Sequence, residues 1–282
     1  MTAPRPRVGR IDFVNCFPLY LHFEEELAAR GMQADVVAGN PADLNRLLVK
    51  GSIDMALPSS IEFARHRDVL TLLDGLAIGS FGAVDSVQLF SRVPVRQMAR
   101  VALTEKSATS VCLLKVLCRE WGVDPVFVPR RQPLADTLAD CDGLLLIGDE
   151  ALYILHAGVY PLNVDLGEAW RQISGLPMVF AVCAVRREFV AAHPSDAAAL
   201  QAALIASRDR CAAHPRETAA AAALIYDFNQ DYLYEYFDKL RYGFGAEHRR
   251  GLAEFYRRAA AIGELQEVPD VPVGLASRRA AE

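Results

Sequence analysis

The stretch RVALTEKSATSVCLLKVLCREWGVDPVFVP, Arg100 to Pro129, reads as strand, helix and strand in succession. "RVALT" is a short apolar run. In "SATSVCLLKVLCREWG", Val111, Leu114, Leu117 or Cys118, and Trp121 recur at helical spacing, and Gly122 supplies the stop. "VDPVFVP" is extended again. The same alternation continues outward in both directions. Downstream, "PLADTLADC" is helical, "GLLLIGD" is a strand running into "EALYILHAG", and "VDLGEAW" turns into a short helix. "PMVFAVCAVRREF" is then a long strand. Upstream, "VGRIDFVN" is a first strand ended by the loop "CFPLY" at Pro18, and "ADVVAG" is a second. "NPADLNRLLVKGS" is a helix capped by Asn40, with Pro41 in its first turn and Gly51 as its stop. "IDMALPSS" is a third strand leading into a serine-rich loop, and "VLTLLDGLAIGS" and "AVDSVQLFSR" are extended. From Pro194 onward the pattern is mostly helical, up to a polar tail of about ten residues.

Strands alternating with helices predict an α/β fold with mainly parallel sheets. The expected split is two lobes, roughly residues 1–90 plus 178–282 and residues 91–177. The chain would cross between them near Ser91–Pro94 and Gly175–Pro177, leaving a central ligand cleft.

The chain has 282 residues, 52% of them apolar, which suffices for a sizeable core. Its net charge of −5 and lack of a basic run argue against a nucleic-acid partner. The longest apolar runs, "GLLLIG" and "AAAAALIY", fall far short of the ~20 residues of a membrane span. The start "MTAPRPRVGRIDFVN" has no apolar core of signal-peptide length. Cys16, Cys112, Cys118, Cys141, Cys183 and Cys211 form no C-x-x-C pair and read as reduced packing residues. Together these features predict a cytoplasmic protein with no membrane association; a monomer or homodimer is expected, though none of these features decides between them.

The candidate site residues are small and neutral. Ser107 is the expected N-cap of its helix, but Ser110 stands where a capping box would place Glu or Gln. Capping alone therefore does not explain Thr104, Thr109 and Ser110. A helix start with free amides and hydroxyls can hold a carboxylate or phosphate; a cap with incidental surface hydroxyls is the other reading. Asn15, Ser59, Ser60, Thr104 and Ser107 all fall at carboxyl ends of predicted strands, where α/β sheets bind ligands. Ser86 lies near the first crossover. Gly148 and Asp149 end another strand, Asp149 as a helix cap or as an acid or base. Glu168 and Trp170 read as structural.

Other chemistry finds no support. "HRD" at His66–Asp68 lacks the remaining kinase motifs, and Gly75, Gly79 and Gly82 have the wrong spacing for a dinucleotide loop. There is no Walker lysine and no G-x-S-x-G. The six histidines show no metal-ligand spacing.

In order along the chain stand "VNCFPLY", "GNPADLNRLLVKGSIDMALPSSIEFA", "DSVQLFSRVP", "SATSVCLLKVL", "LLLIGDEAL", "DLGEAW" and "SGLPMVFAV". With the C-terminal "YLYEYFDKLRYGFGAEHRRGLAEFYRRAAAIG", this series closely resembles the chorismate dehydratase family of the futalosine route to menaquinone. The resemblance covers nearly the whole chain. It implies the two-lobed fold of type II periplasmic binding proteins and conversion of chorismate to 3-[(1-carboxyvinyl)oxy]benzoate and water. It implies no metal and no organic cofactor. It points to Asn15 as the functional residue of the first loop, with Asp149 the alternative base. Ser107, Ala108, Thr109, Ser110 and the helix amides would hold one carboxylate; Ser59, Ser60 and Ser86 would meet the other or the leaving hydroxyl. The chain departs from the family at Cys16, usually Thr, at Cys183, often Trp, and at Ser174 and Met178, often Thr and Phe. Two other functions fit the same fold: a non-catalytic solute-binding or sensor protein, and the related 1,4-dihydroxy-6-naphthoate synthase. The first is usually exported or fused to a membrane or signalling domain, and the second has different first-loop and hydroxyl motifs.

Overall fold

The chain first lays down β1 (Arg7–Ile11), β2 (Asp35–Gly39), β3 (Met55–Ala56) and β4 (Leu70–Ser80). It then passes to β5 (Val87–Ser91), β6 (Arg100–Leu103), β7 (Val126–Pro129), β8 (Gly143–Ile147) and β9 (Leu162–Asp165). It returns with β10 (Met178–Arg186) and β11 (Leu240–Arg241). The computed structural model describes residues 5–130 and 140–271. The polar tail and most of the expected helix "PLADTLADC" lie outside the described residues.

Two sheets result. One has six strands in the order β11-β4-β10-β3-β1-β2, the other five in the order β7-β6-β8-β5-β9. Both are mixed, which corrects the expectation of mainly parallel sheets. β1 pairs in parallel with β2 and β3, and β6 with β7 and β8. β10 runs antiparallel to β3 and β4, β11 to β4, and β5 to β8 and β9. The antiparallel pairs gather where the chain changes lobe. A strand that leaves a lobe and one that re-enters from the same side must point in opposite directions.

The first crossover lies between Ser80 and Val87, earlier than Ser91–Pro94. The run "VQLFS" is buried along its whole length, and such a run can pair with either sheet. What decides is the turn before it. The Asp165 carboxylate accepts from the amides of Val84 and Asp85, and Asp85 adopts φ 56 to make the bend. The second crossing runs from Ser174 to Met178.

The Arg100–Pro129 unit forms as its pattern requires. The helix Ala108–Trp121 buries Cys112, Leu113, Leu114, Val116 and Leu117, and ends at Gly122 with φ 68. "CFPLY" is not a loop: Phe17–Tyr20 is one helical turn, and Pro18 sits in its first turn, where no amide is needed.

The lobes are packed together away from the cleft. Trp170, on the helix Leu166–Ser174, is fully buried, donates from Nε1 to the Pro177 carbonyl at 3.1 Å and meets Phe255 edge-on. Phe255 belongs to the helix Ala246–Ala261. There Gly251 lies so close that a Cβ would sit 2.1 Å from the Pro177 oxygen, so no other residue fits without movement. All six cysteines are buried and unpaired. No helix among the described residues is long and apolar enough to cross a membrane.

Candidate functional site

Between the sheets lies a cavity of about 50 Å³. Asn15, Ser59, Ser86, Ser107, Ser110 and Gly148 line it, with Ile11, Phe13, Ile78, Ile147 and Phe180 as its apolar walls. Its character comes from where helices begin. The helices Pro41–Lys50, Ala108–Trp121 and Gly148–Ala157 each start at the wall, through Pro41, Ser107 and Gly148. Each start carries roughly half a positive charge. No Lys, Arg, His, Asp or Glu among the described residues lines the cavity. It is therefore an apolar slot whose polar donors are its serine hydroxyls and the start of the helix Ala108–Trp121; Pro41 has no amide hydrogen, and the Gly148 amide is taken by the Ser86 carbonyl.

Each polar member is held differently. Ser107 Oγ accepts from the Ser110 amide at 3.2 Å and lies 3.0 Å from Ser110 Oγ. This leaves the amides of Ala108 and Thr109 as the orphans every helix start presents. Asn15 lies in the 3₁₀ turn Val14–Cys16. Its carbonyl accepts from the Tyr242 hydroxyl at 2.8 Å, and its Oδ1 from the Cys16 thiol at 3.2 Å. The Ser86 carbonyl accepts from the Gly148 amide at 2.8 Å, joining the crossover to the start of the helix Gly148–Ala157. Gly148 has φ 62, and a Cβ there would meet the Phe13 ring at 2.8 Å. The close approach of the two lobes at this point requires glycine.

Not every candidate reaches the cavity. Ser60 and Thr109 face each other across the lobes at 3.2 Å; Ser60 donates to the Val179 carbonyl and Thr109 Oγ1 accepts from the Ile61 amide. They fasten one lobe to the other and are not among the wall residues. Thr104 and Ala108 open instead on a neighbouring groove of about 540 Å³, which shares Ser107 with the cavity. That groove is charged but largely self-neutralised: Arg65 pairs with Glu62 and Glu264, Lys115 with Glu264, and Arg46 with Asp43. An enclosed slot between lobes is the better place for chemistry than this open, ion-paired surface.

Asp149 is neither a cap nor a wall residue. Ile147 occupies the N-cap position, and Asp149 Oδ1 accepts from the Val14 amide at 2.9 Å, across the lobes and beside Asn15. Burial pushes its carboxyl up to about 6, while the Val14 amide and Lys106 pull the other way. Sequence reading missed the apolar walls. Ile78 and Phe180 look like ordinary strand residues, and no local signal marks them.

A family model described as menaquinone biosynthesis matches residues 6–261. A chorismate dehydratase of Thermus thermophilus is 39% identical over 222 residues, 73% of this chain and 78% of that protein. A chorismate dehydratase of Campylobacter jejuni is 31% identical over 177 residues, 61% of this chain and 64% of that one. Among solved structures, a Candida albicans gene product with the generic periplasmic-binding-protein fold superposes with a TM-score of 0.71 at 14% identity, covering 95% of this chain and 93% of that one. The last likeness carries the fold alone.

Proposed function

Because the chain belongs to the chorismate dehydratase family of menaquinone biosynthesis, we infer that its interlobe cavity converts chorismate to 3-[(1-carboxyvinyl)oxy]benzoate and water. The observation that carries this reading is the convergence of the Ala108–Trp121 helix start and of Ser59, Ser86, Ser107 and Ser110 on a slot with no charged side chain among the described residues. A dicarboxylate with an apolar ring matches it. Carboxylates are held by amides and hydroxyls, and the ring lies against Phe13, Ile78 and Phe180.

The reaction breaks one ring C–H bond, beside the ether oxygen, and the C–O bond of the ring hydroxyl. The proton and the hydroxide leave as water, and the ring becomes aromatic. The driving force is in the substrate, so the protein must orient it and exclude bulk water. Charge released by the C–H bond spreads onto the ring carboxylate, and fixed donors at a helix start stabilise it as it grows. Ser107 and Ser110, at the positive end of their helix, take that carboxylate. Ser59 and Ser86 take the other end of the substrate or its leaving hydroxyl.

An amide is no base near neutral pH. Asn15 therefore orients the enolpyruvyl carboxylate of the substrate, which accepts the ring proton itself. Asp149, tied to the Val14 amide, acts as a positioning residue behind Asn15. The cavity is smaller than the ~300 Å³ or more of ordinary ligand pockets, so both entry and accommodation of the substrate need the lobes to stand wider apart, by bending at their two crossovers. Six unpaired buried thiols fit a reducing compartment, the cytoplasm.

The test is to mix purified protein with chorismate, without added metal or cofactor, and follow products by mass spectrometry. The expected result is an enolpyruvyl benzoate lighter than chorismate by one water. Chorismate bound but unchanged would mean a binding protein instead.

A further inference from the structure

The Asn15 side chain does not stand alone at the cavity wall. Its two amide ends have opposite hydrogen-bonding sense: Oδ1 accepts and Nδ2 donates. The Cys16 thiol lies 3.2 Å from Oδ1 and donates to it. The main chain on either side is fixed as well, by Tyr242 on the Asn15 carbonyl and by Asp149 on the Val14 amide. With Oδ1 engaged, Nδ2 is the end that Asn15 can offer to a ligand. For a carboxylate ligand this orientation matters: the flipped amide would set an oxygen lone pair against an anion.

We propose that Cys16 is a positioning residue for the dehydration, its thiol holding Asn15 Oδ1 so that Nδ2 is presented to the substrate carboxylate. The proposal rests on the Asn15 role given above. It requires the sulfur to carry its proton. Cys16 is 1% exposed, and burial, with Asp149 and Asp12 nearby, pushes its thiol well above the ordinary value. It is thus a donor at any pH where the enzyme works, and no nucleophile. Sulfur is a weak acceptor, so the flipped amide would gain little in return.

The test uses Cys16→Thr and Cys16→Val, two side chains of one shape, of which only the first can donate. Each is measured by steady-state kinetics and thermal unfolding, alone and combined with Asn15→Ala. The expected result is a kcat about fivefold lower in Cys16→Val than in Cys16→Thr, the size of one modest hydrogen bond. Thermal midpoints should be matched, and the gap should vanish in the Asn15→Ala background. Equal kcat in the two variants would overturn the proposal. So would a gap of the same size without Asn15, since that gap would come from packing. Full turnover in Asn15→Ala alone would remove the Asn15 role and this proposal together. A crippled Asn15→Ala beside equal Thr and Val variants would leave the Asn15 role standing and remove only the thiol's part.

Discussion

The two polar halves of the cleft are built on opposite principles. The Ser107 start is local: its cap spans three residues, and its hydroxyls lie within a single helical turn. The Asn15 turn is held from far away, by Tyr242 at a separation of 227 residues and by Asp149 at 135. The first half forms whenever its helix forms. The second exists only when the segment that follows β11 and the second lobe are docked on the first. An anion-binding half that is always ready and an orienting half assembled on closure fit an enzyme that must admit a substrate and then exclude water.

Removing the orienting group should produce the largest effect. Asn15→Ala is expected to lower kcat by about a hundredfold to a thousandfold, the range seen when one preorganised donor is lost, with the unfolding midpoint little changed. Wild-type turnover in a folded variant would sink the role. Asp149→Asn comes next. The folded Asp149 carboxyl sits at about 6, above its ordinary 3.8. The folded chain therefore keeps a proton that the unfolded chain gives up between pH ~4 and ~6. Its stability contribution is full below that window and is lost as pH rises through it, by on the order of 3 kcal/mol. Asparagine keeps an acceptor for the Val14 amide and cannot titrate. Denaturant unfolding at both ends of the window should show the variant gaining on the parent at the higher pH. Measurable turnover in Asp149→Asn fits a positioning role; a folded but inert variant would make Asp149 the base.

The local half was also the half legible in the sequence. Ser107 as cap, Gly122 as stop and the strand–helix–strand of Arg100–Pro129 follow from spacing and capping chemistry within thirty residues, and so do Asn40 and Gly51. What was not legible depends on docking. Ser107, Thr109 and Ser110 look alike in the sequence, yet Thr109 turns to Ser60 across the lobes while Ser107 and Ser110 reach the cavity. Nothing local ranks them. Val87–Ser91 is apolar enough for either sheet, and only the distant Asp165 carboxylate sets the bend that sends it to the second. Asp149 looks like a cap because it follows a strand and glycine, and the Val14 amide it serves is invisible from its own neighbourhood.

The smallest stability change expected here separates capping from substrate binding at Ser107. Aspartate is as good an N-cap as serine, and alanine costs about 1 kcal/mol there. If Ser107 only capped its helix, Ser107→Asp would match the parent in stability and in KM, and Ser107→Ala would be the worse enzyme. If a substrate carboxylate sits at this helix start, the order in KM reverses. A fixed negative charge then repels the ligand, so Ser107→Asp should keep its thermal midpoint and still bind chorismate more weakly than the less stable Ser107→Ala. Measuring unfolding and KM on the same two variants decides between the readings, because only an anion at the site makes the more stable protein the poorer binder.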